Sequence, residues 1–264
     1  MSVERILSDE EAMTLTGAVI QIPEGYTKVG KYSDEQYTQM EHLIFPMSIT
    51  DINLKSLIHC RRLSRITVHE ENISYADVDG VLFSKDMTEL IFVPPYTPIT
   101  QYSVPSGVKR IGDWAFAMRG RIQGYDANFA YKLSSISLPE GLEYIGGCAF
   151  DCCRSLTEIN IPNSVTHIGV CAFYLCGIES VIIPDSVLTI GEEAFSCCED
   201  LRSVKMSAGI TQFPENAFLM CSKLEEIEIG QNVEVILDNA LSGCSELPKI
   251  TTRPKVFWRE NNSS

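Results

Sequence analysis

Apolar positions in residues 133–246 recur in one fixed order five times over. In residues 178–201 that order is Ile178, Val181, Ile183-Pro184, Val187, Ile190-Gly191, Ala194-Phe195 and Cys198, after which Leu201 begins it again. The period follows by subtraction: Pro139 to Pro162 is 23 residues, Pro162 to Pro184 is 22, Pro184 to Ser207 is 23 and Ser207 to Gly230 is 23. A constant period in this range marks a solenoid, in which each coil buries its apolar face only against its neighbours. The aligned positions are then expected to stack. One column is Leu133, Leu156, Ile178, Leu201 and Leu224, and a second is Ile136, Ile159, Val181, Val204 and Ile227. A small-residue column, Ala149, Ala172, Ala194, Ala217 and Ala240, lets coils approach closely, and beside it Phe150, Phe173, Phe195, Phe218 and Leu241 fill the interior.

Within a coil, Leu156-Thr157-Glu158-Ile159-Asn160-Ile161 alternates with period two and is rich in β-branched residues, which predicts a short strand. Equivalent strands stacked on one another give a parallel sheet. Pro162 has no N–H to donate and ends the strand. Gly191-Glu192-Glu193-Ala194-Phe195-Ser196-Cys197 favours a short helical turn that returns the chain to the next strand.

The same columns extend outward from this block, so residues 20–250 read as the solenoid, with residues 1–19 as an N-terminal cap and 251–264 as a C-terminal cap or tail. Ser8-Asp9-Glu10-Glu11 has the form of a capping box before Ala12 and Leu15. The coil from Ile20 is irregular, because Asp34 stands where the interior aromatic is expected. An interruption near residues 70–95 carries Asp79-Gly80 between Val78 and Val81-Leu82-Phe83, the signature of a β-hairpin. Pro105 to Pro139 is 34 residues, 11 more than the period, which places a loop insertion near residues 118–132. That loop holds Arg119, Arg121, Tyr125, Phe129 and Tyr131. Arg and Tyr are enriched at binding hot spots, and Phe129 and Tyr131 could equally pack the loop onto its neighbour. At the C-terminal end Pro248 and Pro254 limit further strand addition, and Phe257-Trp258 can cover the last coil.

Composition narrows the functional classes. Of 264 residues, 45% are hydrophobic, enough for a continuous core, and no run approaches the apolar length of a membrane span. The formal net charge of −14 would repel nucleic-acid phosphates and serves solubility. The first sixteen residues lack a basic region followed by an apolar one. Localisation is therefore unknown from the sequence: intracellular by default, and cell-surface or secreted if a leader has been removed.

The motif Leu-x-x-Ile-x-Ile-Pro-x-x-Val-x-x-Ile-Gly-x-x-Ala-Phe-x-x-Cys, almost intact in residues 156–176, resembles the BspA-like leucine-rich-repeat family. Asp79-Gly80-Val81-Leu82-Phe83, followed by Lys85, Thr88 and Leu90, resembles that family's interruption. The resemblance implies an α/β leucine-rich-repeat solenoid, a right-handed β/α superhelix with a parallel sheet and short helical turns. It also implies a surface protein, not an enzyme, that adheres to a host matrix or cell-surface protein. Ser207 and Gly230 depart from the motif's proline, and Arg119 from its cysteine.

Ten cysteines must be weighed against the repeat. Cys60, Cys153, Cys176, Cys198, Cys221 and Cys244 share one slot and read as buried small apolar rungs. On that reading Cys198→Ser costs about 1–3 kcal/mol, depending on whether a backbone partner is available, and Cys198→Ala costs less. Cys148 and Cys171 share another slot in adjacent coils, so a disulfide between them is conceivable; without a leader, reduced thiols are the default. No Cys-x-x-Cys pair starts a zinc site, and His42, His59, His69 and His167 lie in different coils. No metal, cofactor or catalytic group is expected. Asn72-Ile73-Ser74 is a formal glycosylation acceptor.

The remaining candidate is the strand face, whose side chains between the buried columns point outward. They are Ser135 and Ser137, Glu158 and Asn160, Ser180 and Ile182, Ser203 and Lys205, and Glu226 and Glu228. This polar, shallow set suits a flat contact with a protein ligand better than a small-molecule pocket. Glu158, Asn160, Ile182, Lys205, Glu226 and Glu228, with Arg121 and Tyr125 of the insertion, are the candidate partner-binding residues of a non-enzymatic interaction scaffold. The alternatives are a self-assembling structural repeat protein or an intracellular interaction protein.

Overall fold

The computed structural model describes residues 4–12, 14–30, 39–60, 62–118 and 133–248, and the strand Phe257–Trp258. They fall into two compact units, one formed by Met1–Ile99 with Trp114–Tyr131 and the other by Thr100–Asp113 with Lys132–Ser264.

In the second unit each full coil carries two short strands, where the sequence pattern suggests one. The first strand falls on the Leu-x-x-Ile-x-Ile segment. Gln101–Ser103, Ser135–Ser137 and Glu158–Ile159 pair in parallel register, and so do Ser180–Ile182, Ser203–Lys205 and Glu226–Glu228. The second strand falls on Val-x-x-Ile, beyond the proline. Arg110–Ile111, Tyr144–Ile145, His167–Ile168 and Thr189–Ile190 form one parallel set. Gln212–Phe213, Val235–Ile236 and Phe257–Trp258 form another.

The remaining side of the coil overturns the expectation of helical turns. Among the described residues the helices are Asp9–Ala12 and Leu54–Leu57, both in the first unit. Where Gly191-Glu192-Glu193-Ala194-Phe195 suggests a helix, backbone N–H groups instead alternate between two directions. Cys148, Phe150 and Cys152 donate forward to the carbonyls of Val170, Ala172 and Tyr174 in the next coil, at 2.8 Å each. Between them, Ala149, Asp151 and Cys153 donate to the carbonyl three residues back, at 3.3, 3.1 and 3.1 Å. Cys171, Phe173 and Leu175 repeat the forward bonds to Glu192, Ala194 and Ser196. At the outer donors of each set the backbone is left-handed, with φ of +53° at Cys148, +65° at Cys152, +54° at Cys171 and +57° at Leu175. A helix would satisfy these groups within one coil and forfeit the bonds between coils; hydrogen bonding along the stack outweighs the weak local propensity of Glu-Glu-Ala.

The single 22-residue coil has a local cause. The step from Cys176 to the next column leucine position, Ile178, is one residue shorter than that from Cys153 to Leu156, and Gly177 fills it. Its N–H bonds the Cys153 carbonyl at 3.2 Å, and a Cβ there would overlap the carbonyl of Arg154. The first-strand sheet is divided into two three-stranded sheets at this coil.

The interior columns stack as their spacing predicts. Phe150, Phe173, Phe195 and Phe218 are fully buried, with successive ring centroids 5.2, 5.0 and 5.4 Å apart and planes within 13° of parallel. The alanine column beside them is buried throughout. Where Ser207 replaces the proline, its hydroxyl donates to the Val187 carbonyl at 2.7 Å and accepts from the Gly209 N–H at 2.8 Å.

The cysteine rungs are more than small apolar fillers. The Cys176, Cys198, Cys221 and Cys244 thiols donate to the carbonyls of Phe150, Phe173, Phe195 and Phe218 at 3.0, 3.1, 3.2 and 3.3 Å. Burial pushes the Cys198 thiol pKa up to about 12, so it stays protonated and available as a donor. This reverses the expected order of substitutions. Cys198→Ser keeps a donor for the Phe173 carbonyl, although the shorter C–O bond lengthens the contact, and is expected to cost about 1 kcal/mol. Cys198→Ala removes the donor and leaves a void, at about 1–2 kcal/mol. Urea unfolding of both variants measures the order.

In the first unit Val19–Gln21, His42–Phe45 and Arg65–Val68 form one parallel sheet, and Ile6–Leu7, Lys28–Val29 and Asp51–Ile52 form another. Their inward side chains, among them Leu7, Ile20, Val29, Leu43, Phe45 and Ile66, make one buried core. The hairpin expected at Asp79-Gly80 is present. Tyr75–Val78 pairs antiparallel with Val81–Ser84 through a turn with φ of +51° at Asp79 and +85° at Gly80. Ser8 and Glu11 bond reciprocally, the Ser8 N–H to Glu11 Oε2 at 3.0 Å and the Glu11 N–H to Ser8 Oγ at 3.3 Å. The bond from the Ser8 N–H holds the Glu11 carboxyl below the usual carboxylate range, with the Tyr26 hydroxyl adding to the effect. Asn72 is fully buried and uses its whole amide: Nδ2 donates to the carbonyls of Pro46 and Ile49, and Oδ1 accepts from the N–H groups of Ser74 and Tyr75. The acceptor motif at Asn72 is therefore closed to glycosylation in the folded chain.

Candidate functional site

The strand pairing fixes which candidate side chains stand together. Ile182, Lys205 and Glu228 are direct cross-strand partners, as are Ser180, Ser203 and Glu226 in the adjoining row. Val181 and Val204, between the two rows, point into the core. Ile182 is 66% exposed and sits beside Lys205, whose Nζ lies 3.6 Å from Glu228 Oε2. Both members of that pair are solvated, so it orders the face more than it stabilises the fold. Further pairs, Arg202–Glu225 and Lys223–Asp200, both at 2.6 Å, lie at the turns that precede these strands.

Glu158 is paired with Ser135 in the preceding three-stranded sheet, and Asn160 is exposed just beyond that strand. The pairing therefore brings together Ile182, Lys205, Glu226 and Glu228 on one sheet and leaves Glu158 and Asn160 on another. Arg121 and Tyr125 lie outside the described residues, as do Asp34, Arg119, Phe129, Tyr131 and Pro254.

A second row on this unit escapes sequence reasoning. Arg110, Tyr144 and His167 are cross-strand partners on the second-strand sheet. The Arg110 guanidinium lies 3.8 Å from the Tyr144 ring centroid, and the Tyr144 and His167 rings stack at 5.8 Å. Thr166 Oγ1 lies 2.7 Å from His167 Nδ1. The available signal is positional: each row member immediately precedes the buried isoleucine of Val-x-x-Ile. Period two points it outward once that segment is read as a strand.

The arrangement offers side chains on shallow sheet faces. Among the described residues, no three His, Cys, Asp or Glu side chains are grouped so as to hold a metal ion. Among them, too, no helix is long and apolar enough to cross a membrane.

The family model for the BspA type leucine rich repeat region matches residues 14–124 and 122–248. Comparison with curated proteins gives no match. Among solved structures, a leucine-rich repeat protein from Eubacterium ventriosum is similar over 90% of this chain and 61% of its own, at 19% identity and a TM-score of 0.65. A leucine rich cell surface protein from Faecalibacterium prausnitzii is similar over 84% of this chain and 62% of its own, at 26% identity and a TM-score of 0.65. The pneumococcal vaccine antigen PcpA is similar over 84% of this chain and 56% of its own, at 24% identity and a TM-score of 0.58. The chain thus spans about three fifths of the length of these relatives.

Proposed function

We propose, from the premise that the chain belongs to the BspA-type leucine-rich-repeat family, that it is a non-catalytic, adhesin-like module that binds a protein ligand through the first-strand face of its second unit. One observation carries the reading: Ile182, an exposed apolar side chain, stands in register with Lys205 and, one strand further, Glu228, with Ser203 diagonally opposite. An apolar anchor ringed by polar and charged groups is the composition of a contact centre and its rim. The shallow face favours an extended protein surface over an enclosed small molecule. The similar Faecalibacterium prausnitzii protein is a cell surface protein, which supports an external ligand, a host matrix or cell-surface protein.

Reversing the charges at Glu158, Lys205 and Glu228 together tests this. Lys205 and Glu228 remain complementary to each other after the exchange, so the melting temperature is expected to stay within a degree or two of wild type, since solvated pairs contribute little. Binding to a partner captured by the wild-type chain is expected to weaken at least about tenfold. Unchanged binding removes the strand face, and the row of Arg110, Tyr144 and His167 becomes the next surface to alter. Light scattering over a concentration series tests the competing reading, self-assembly, which a strict monomer would remove.

A further inference from the structure

We propose that Cys148 and Cys171 form a surface dithiol that takes up a small-molecule disulfide and closes into a cross-coil disulfide bond, while the cysteine rungs stay reduced. The two residues occupy one slot in adjacent coils, each at the left-handed position where the backbone N–H turns toward the next coil, with φ of +53° and +54°. Stacked equivalents lie one strand spacing apart, about 4.8 Å. That falls within the roughly 4.4–6.8 Å between Cα atoms that a disulfide spans. The matched backbone also projects the two side chains in parallel. The pair is half-buried, not sealed, the Cys148 and Cys171 thiols are hydrogen-bonded to each other, and Cys171 Sγ stands 3.7 Å from Glu193 Oε2 in the following coil.

The other cysteines fail one of these conditions. Cys153, Cys176, Cys198 and Cys221 also stack in adjacent coils, but they are buried. The Cys176, Cys198 and Cys221 thiols, with Cys244 at the end of the row, are aimed at phenylalanine carbonyls. Cys152 and Cys197 share an accessible slot, but Leu175 occupies the coil between them, so they stand two spacings apart, about 9.6 Å. Burial, reinforced by the Asp151 carboxylate, pushes the Cys152 thiol pKa up to about 12 and suppresses its thiolate. At Cys171 the hydrogen bond from Cys148 acts first and lowers the pKa, with burial and the Glu193 carboxylate opposing it, which favours Cys171 as the attacking sulfur. The left-handed slot itself does not ask for cysteine: later coils fill it with Asn216 and Asn239, residues better suited to that backbone.

With oxidised glutathione as the oxidant, the Cys171 thiolate attacks one sulfur of its S–S bond, forming a mixed disulfide and releasing one glutathione thiolate. The Cys148 thiolate then attacks the Cys171 sulfur, forming the protein S–S bond and releasing the second glutathione. Two protein thiols lose two electrons and two protons, and one oxidised glutathione becomes two reduced molecules.

The test treats the native full chain with oxidised glutathione, blocks remaining thiols by alkylation and maps the products by peptide mass spectrometry with fragmentation. The expected result is the loss of two of the ten thiols, a Cys148–Cys171 link and no lasting glutathione adduct on wild type. Cys148→Ser is expected to trap glutathione on Cys171 as a stable mixed disulfide. A link between any other pair, a persistent adduct on wild-type Cys171, or ten unmodified thiols overturns the proposal. Because the wild-type map is decisive by itself, a variant that fails to fold does not shield it.

Discussion

Phe195→Ala is expected to lower the unfolding free energy by about 3–5 kcal/mol, the range for emptying a buried aromatic site, in urea titrations followed by far-ultraviolet circular dichroism. Phe195 lies in the middle of the column, stacked on Phe173 at 5.0 Å and on Phe218 at 5.4 Å, so its removal interrupts two ring contacts at once. Such pairs contribute roughly 0.5–1.5 kcal/mol each beyond buried area. The backbone on either side cannot collapse into the void without breaking bonds between coils, since the Phe195 N–H donates to the Ala217 carbonyl at 2.9 Å. Phe195→Leu refills most of the volume and is expected to cost about half as much, because it restores the fill but not the stacking. A solenoid communicates only between neighbours, so the alanine variant is also expected to broaden the transition as the stack uncouples at that coil. Equal costs for Leu and Ala would show that ring stacking, not filled volume, dominates this column.

The apolar columns were legible because burial is what a repeat constrains most directly: the Phe and Ala positions of adjacent coils face the same neighbours, so the sequence repeats them. The hairpin was legible from Asp79-Gly80 because its turn requires two positive φ angles, which that pair accepts. The turn ladder was not. Glu192-Glu193-Ala194 is compatible with a helix locally, and whether its N–H groups bond within the coil or along the stack is a tertiary matter that propensity does not encode. A signal was present in the slots themselves, where Asn216, Asn239 and Gly243 adopt positive φ and stand in line with Cys148, Cys171 and Cys152. Reading them as markers of left-handed backbone would have argued against helix.

The candidate face was only partly legible for a related reason. Alternation along each strand put Ile182, Lys205 and Glu228 outside, and the common period put them in one row. The shortened coil at Gly177 interrupts the strand ladder between Glu158–Ile159 and Ser180–Ile182, although the two segments remain neighbours, with the Glu179 N–H donating to the Thr157 carbonyl at 3.1 Å. The row of Arg110, Tyr144 and His167 was hidden because two-residue strands carry too little alternation to be recognised.

Asn72→Asp should be among the most damaging single-atom-scale changes in the first unit, at about 3–5 kcal/mol near neutral pH. The native amide donates from Nδ2 to the Pro46 and Ile49 carbonyls at 2.9 Å each. A carboxylate in the same place removes both donors and sets a negative oxygen against two carbonyl oxygens, with no exposed path to solvent because the residue is fully buried. Its oxygen that faces the Ser74 and Tyr75 N–H groups can still accept from them. Burial and the facing carbonyls raise the folded-state pKa of the introduced Asp above its unfolded value, so the folded state binds more protons across that interval. The penalty is therefore full at high pH and shrinks as pH falls through the raised pKa, because the protonated acid regains one donor. The difference in unfolding free energy between wild type and Asn72→Asp, measured in urea at pH 7 and at pH 5, is expected to be smaller at pH 5. Asn72→Ala, which loses the same bonds without adding a charge, is expected to show a difference that does not change with pH. A pH-independent penalty for Asp would mean that the side chain leaves its site, and that the hairpin entry at Ser74 and Tyr75 is held by other contacts.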